Sequence, residues 1–151
     1  MQQMEERQNV DRKIFENEIL PANRPVVMRG LLPDWPVVQA GREGAESAAN
    51  YLKQFDNGGV VNAFVGPPEI EGRFFYSDDF RSFNFDSKDV SISAALDTLV
   101  SLADDPQPPA IALQAKFVPD VMPAFLGQNR MPLLDERIAP RVWISNRSMI
   151  A

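Results

Sequence analysis

Apolar residues recur along this chain in distinct rhythms, and each rhythm predicts a kind of element. Ala45, Ala48, Ala49, Leu52 and Phe55 share one face of a helix, which Asn57-Gly58-Gly59 stops. Ile92, Ala95, Leu96, Leu99, Val100 and Ala103 form a second stripe, with Ser91 placed to cap it and Asp104-Asp105-Pro106 to end it. Met4, Val10, Ile14, Phe15, Ile19 and Leu20 lie among charged residues at looser helical spacing, which predicts one or two turns ending before Pro21. Apolar runs bounded by Pro and Gly predict strands at 26–28, 60–65, 74–76, 110–115 and 141–145, the second and third of them joined as a hairpin. The 110–115 run reads as buried on most of both faces, and Gln114 is its one polar side chain, so that amide needs partners.

Between these runs the punctuation is proline and glycine. Pro33 and Pro36 bracket a rigid turn that presents Trp35, predicted to fill a gap between the first strand and a helix. Phe80, Phe83 and Phe85 sit among Asp, Asn and Ser, so no regular structure is predicted there and the rings are read as plugging a sheet face. Val118-Pro119-Asp120 opens a short helix that Gly127 closes, and 131–135 is a loop. No repeat and no linker divides the chain, so residues 1–151 make a single domain or the N-terminal part of one.

Composition narrows the chemistry. At 151 residues and 44% hydrophobic the chain can bury a core, while 13 prolines imply many forced turns. A net charge of −6 without a Lys/Arg cluster argues against nucleic-acid and anionic-membrane partners. Without Cys there are no disulfides, thiolate zinc sites or cysteine nucleophiles. Without His there is no Ser-His-Asp triad, no His-ligated zinc and no facial triad of two His and one carboxylate within residues 1–151. The charged N-terminus has no apolar signal region, and no stretch reaches the roughly 20 apolar residues of a membrane span, so a soluble, cytoplasmic protein is expected.

The order of residues in Arg24-Pro25-Val26-Val27-Met28-Arg29-Gly30, followed by Asp34-Trp35-Pro36, resembles the opening of the cupin-like JmjC family. The terminal run Val142-Trp143-Ile144-Ser145-Asn146-Arg147-Ser148 resembles the strand and turn that precede that family's His-x-Asp metal motif. The resemblance implies a double-stranded β-helix of the Fe(II)/2-oxoglutarate oxygenases related to asparaginyl hydroxylases. In that register the first His falls about three residues beyond Ala151, so the chain is expected to stop just before a metal site. Ala112-Leu113-Gln114 matches the Tyr-Leu-Gln pocket strand of those hydroxylases. Gln114 keeps the amide, Ala112 lacks the phenol that helps hold 2-oxoglutarate, and Ala151 stands where a Thr is often found.

The expected fold is therefore α+β, with N-terminal helices packed on antiparallel strands that begin a double-stranded β-helix of the cupin or jelly-roll type. Gln114, Asn146 and Ser148 are the candidate cofactor-binding residues. No catalytic residue and no metal ligand is assigned within 1–151, and Fe(II) and 2-oxoglutarate belong to the full-length protein. The substrate class is a protein side chain or a small molecule. The competing class is a non-catalytic interaction module that uses Trp35 and the phenylalanine cluster. A missing second sheet would leave strand 142–145 an open edge, so the isolated chain is expected to dimerise through it or to aggregate. Other constellations are weaker. The pairs Asp78-Asp79, Asp104-Asp105 and Glu69/Glu71 lie in polar turns, Asn57-Gly58-Gly59 lacks phosphate-loop spacing, and Arg29 and Arg147 are as readily surface ion-pair partners as anion ligands.

Overall fold

The computed structural model describes residues 4–146. A short strand β1 (Glu5–Gln8) leads into a helical stretch made of α1 (Arg12–Ile14), a π-helical turn (Phe15–Ile19) and α2 (Leu20–Ala22). The Asp11 side chain caps α1 by accepting from the Ile14 N–H at 2.7 Å. The helix does not end before Pro21. Leu20 N–H reaches back to Phe15 O, and this widened turn accommodates a proline ring that would clash with the carbonyl four residues back in a regular helix. Asn23, left-handed at φ 47°, ends it.

Strand β2 (Val26–Arg29) forms where the β-branched run predicts, and Gly30 leaves it at φ 65°. Its partner is β1, in parallel. That pair stands apart from the main sheet and is laced by ion pairs, Arg29 with Glu6 and Arg7 with Glu5 and Glu18. After Trp35 the chain makes a helix, α3 (Pro36–Glu43), where the proline spacing predicts only a turn. Pro36 occupies the first helical position, where its missing N–H costs nothing. Helix α4 (Ala45–Lys53) follows on the predicted stripe.

The main sheet is antiparallel. It is built from β3 (Val61–Gly66), β4 (Asp86–Val90), β5 (Ala110–Phe117) and β6 (Arg141–Ser145), in the spatial order β4-β3-β5-β6. Residues 74–76 are not the hairpin partner of β3. Their only ladder contact among the described residues is a bridge from Tyr76 to Phe83, and the polar strand β4 takes the place beside β3. β4 escapes a hydrophobicity pattern because four of its five residues are exposed. Gly66 closes β3 under the Ile70 side chain, which a Cβ at that position would strike. Helix α5 (Ile92–Ser101) is capped by Ser91 Oγ, which accepts from Ala94 N–H at 3.1 Å. Helix α6 (Val118–Val121) and a 3₁₀ turn (Phe125–Gly127) link β5 to the loop before β6.

Strand alternation gives the sheet two unlike faces. Val61, Ala63, Ile111 and Leu113, flanked by Val142 and Ile144, pack against Ala49 of α4 and Ile92, Ala95 and Leu96 of α5. With Phe55, Val118 and Met122 these residues form the core cluster among the described residues, and Ile92, Leu113 and Met122 are fully buried. The other face carries Asn62 and Phe64 of β3, Ala112 and Gln114 of β5, and Trp143 and Ser145 of β6. Mixed helices and strands around an antiparallel sheet make this an α+β fold.

Candidate functional site

The second sheet face is shaped by a bulge. Leu113 pairs with Ile144 and Lys116 with Val142, so Gln114 and Ala115 together oppose Trp143 alone. Ala115 takes the left-handed conformation at φ 52°, and its carbonyl accepts from Arg141 Nη1 at 2.8 Å. The same guanidinium lies 5.6 Å over the Phe117 ring, so Arg141 clamps the bulge by one hydrogen bond and one cation–π contact. Beside the bulge Gln114 is half-buried and Trp143 is 58% exposed. Burial holds the neighbouring Lys116 ammonium below the usual lysine range.

Asn146 is occupied differently. Its Nδ2 donates to Pro109 O at 2.7 Å, its Oδ1 accepts from Ile111 N–H at 3.2 Å, and its own N–H donates to Ile111 O. The side-chain amide thus stands in for a ladder peptide where β5 begins and β6 ends. Gln114 lies three residues further along β5, in the bulge, so the two predicted amides do not converge. Ser148, the third candidate, lies outside the described residues, as do Arg147 and Ala151.

A concavity of about 920 Å³ runs along β6 from Arg141 to Ser145, facing Trp35, Phe125 and Ile138. Neither Gln114 nor Asn146 lines it. Trp35 does not bridge the first strand and a helix. Its indole N–H donates to Arg130 O at 2.9 Å and its ring meets Phe125 edge-on at 6.5 Å, so it seals the 125–130 turn against the start of α3. Under it Asn129 is fully buried. Its Oδ1 accepts from Val37 N–H at 3.1 Å and its Nδ2 donates to Tyr51 Oη and Phe125 O, satisfying an otherwise open donor of α3's first turn. Nothing in the sequence singles out Asn129, the second of two adjacent amides, Gln128 and Asn129, between Gly127 and Pro132. Arg130 and Glu136 pair at the mouth of the cleft.

A second concavity, about 530 Å³, lies under the 69–76 segment, lined by Glu69, Glu71, Arg73, Phe75, Tyr76 and Asn84. The remaining acidic pairs serve turns. Asp79 accepts from Ser77 Oγ and Arg81 N–H, and the Ser77 bond leads in holding its carboxyl below the usual range. Asp105 accepts from Gln107 N–H. Asn57 Oδ1 accepts from Gly59 N–H, closing a turn rather than cradling phosphate. Arg29 is engaged by Glu6.

These residues do not fit a first-row transition metal. The chain offers neither imidazole nor thiolate, and among the described residues no three carboxylates come together. Among the same residues no helix is long and apolar enough to cross a membrane.

An antiparallel sheet backed by helices on one face, bulged and aromatic on the other, is a mixed α+β arrangement that agrees with a cupin-like fold. The family model for the cupin-like domain matches residues 12–151, and the chain belongs to that family. No curated protein matches the chain.

Proposed function

We propose that this chain supplies the helix-backed first sheet of an Fe(II)/2-oxoglutarate hydroxylase acting on a protein side chain or a small molecule, with the iron ligands coming from outside residues 1–151. Membership of the cupin-like family supports this, as does the JmjC-like order of residues at 24–36 and 142–148. The single observation that carries it is Trp143. A large aromatic 58% exposed, beside a bulge, on a strand whose one neighbour among the described residues is β5, is what a second sheet would cover. In this role Gln114 lies on the sheet face that the second sheet would cover, while Asn146 keeps β5 and β6 in register. No step of the oxidation is assigned to the residues present.

Two measurements test the proposal. Titrating the 151-residue chain with Mn(II) and with 2-oxoglutarate by calorimetry is expected to give no stoichiometric micromolar site, because no ligand set is available. Native protein isolated from its source is expected to be heavier than 16.9 kDa and to release succinate from 2-oxoglutarate in an Fe(II)-dependent way. A native species of that mass without turnover overturns the oxygenase proposal and favours the interaction module.

A further inference from the structure

The segment between β3 and β4 displays aromatic rings in a manner that the core does not require. Phe80 is 72% exposed, Phe75 61%, Phe83 56% and Tyr76 50%, all within one loop. Exposed rings in a floppy loop would be unremarkable, but this loop is clipped shut. Ser77 N–H donates to Ser82 O and Asn84 N–H to Phe75 O, both at 2.9 Å. Asn84 Oδ1 accepts from Phe75 N–H at 2.8 Å, and Asn84 Nδ2 donates to Arg73 O. Held this way, Tyr76, Phe83 and Phe85 stack in sequence, with centroids 5.2 and 5.0 Å apart and interplanar angles of 25° and 27°. Phe85 continues into Phe64 of β3 and Phe74 of the loop, so the platform is anchored at one end and open at the other.

A preorganised stack takes a flat partner: a nucleobase or a guanidinium. Charge decides between them. The segment 66–90 carries Glu69, Glu71, Asp78, Asp79, Asp86 and Asp89 against Arg73, Arg81 and Lys88, in a chain of net charge −6. Glu69 and Glu71 line the concavity that Phe75 and Tyr76 share, and neither carboxylate makes an ion pair among the described residues. Nucleic acid is repelled by such a field, whereas arginine gains both the ring face and the carboxylate. We propose that the aromatic loop is a docking surface for an arginine-rich segment of a protein partner, stacked on Phe75, Tyr76, Phe80 and Phe83 and paired with Glu69 and Glu71. This surface is separate from the β6 cleft and holds whether or not the oxygenase proposal does.

The probes are fluorescein-labelled octa-arginine and octa-lysine peptides, read by anisotropy against the full 151-residue chain at physiological salt. Octa-arginine is expected to bind more tightly than octa-lysine. Phe80→Ala and Phe75→Ala should each weaken octa-arginine by about two- to fivefold, the range for one cation–π contact at an exposed site. Glu69→Gln should weaken it further. Both rings are exposed, so circular dichroism and the melting temperature should stay at wild-type values. Equal binding of the two peptides, or binding insensitive to both ring substitutions, would reduce the loop to a non-specific acidic surface and overturn the proposal. Self-association abolished by Phe80→Ala, without peptide binding, would also overturn it and assign the platform to a second copy of this chain.

Discussion

Asn129 Nδ2 donates to Tyr51 Oη at 2.8 Å, joining a loop near the end of the chain to helix α4 across 78 residues of sequence. The same side chain satisfies the Val37 N–H at the start of α3, so one buried amide holds two helices and a loop together. Asn129→Ala removes three hydrogen bonds from a buried position and leaves the Val37 N–H without its acceptor, while Tyr51 Oη keeps its bond to Gln128 Oε1 and Phe125 O keeps the backbone N–H groups of residues 128 and 129. It is expected to cost about 2–4 kcal/mol in urea unfolding, and Tyr51→Phe about 1 kcal/mol. A loss under about 0.5 kcal/mol for Asn129→Ala would show that water replaces the amide.

Trp35 is half-buried and touches Phe125 with its edge, so it resembles a lid more than a core plug. Trp35→Ala should destabilise by about 2 kcal/mol, under the roughly 3–5 kcal/mol typical of a fully buried aromatic. Trp35→Phe, which loses mainly the bond to Arg130 O, should cost about 1 kcal/mol. Denaturant unfolding of the two variants separates packing from hydrogen bonding.

Ala115 occupies a left-handed backbone position in the β5 bulge, where a Cβ is unfavourable. Ala115→Gly should raise stability by about 0.5–1 kcal/mol despite the added freedom of the unfolded chain. Ala115→Val should lower stability, because a β-branched residue tolerates that φ least. The two variants moving in the same direction in thermal unfolding would mean that the bulge relaxes to another geometry.

Asp56 accepts from Ser93 N–H at 2.8 Å and from Gly58 N–H at 3.0 Å, linking the end of α4 to the first turn of α5. Desolvation is the largest single influence and pushes its pKa up, but the bonds from Ser93 and Gly58 together outweigh it, and the carboxyl sits below the usual range. A depressed folded-state pKa gives stability that is present above the ordinary aspartate value of about 3.9 and is lost as pH falls through the folded value. Asp56→Asn should therefore narrow the difference in melting temperature between pH 6 and pH 3. An unchanged difference would show that other carboxylates dominate acid unfolding.

Strand β6 bonds only to β5 among the described residues, and its Trp143 faces solvent. Such an edge recruits strands from other chains. The isolated chain is expected to self-associate at tens of micromolar, with Trp143→Lys suppressing this and Phe80→Ala leaving it unchanged. Light scattering across a concentration series measures it, and a monomer at high micromolar concentration would count against an open β6.

Helices α4 and α5 and strands β2, β3, β5 and β6 were legible because each is amphipathic or apolar at its own period, and local sequence decides such elements. Ser91 as a cap and Gly30 as an exit were legible for the same reason: each acts within a few residues of itself. What tertiary structure alone decided lies between elements. β4 is a strand because β3 offers it a ladder, although its own residues are polar. Phe74–Tyr76 has the composition of a strand, yet Phe74 meets Phe64 and Phe85 and Tyr76 stacks on Phe83, while β4 and β5 take the two places beside β3. The bulge at Gln114 and Ala115 arises from register against β6, and the roles of Asn129 and Asn146 arise from donors supplied by distant segments. A side chain's partners are fixed by which backbone groups the fold leaves unpaired beside it, and that is a property of the assembled chain.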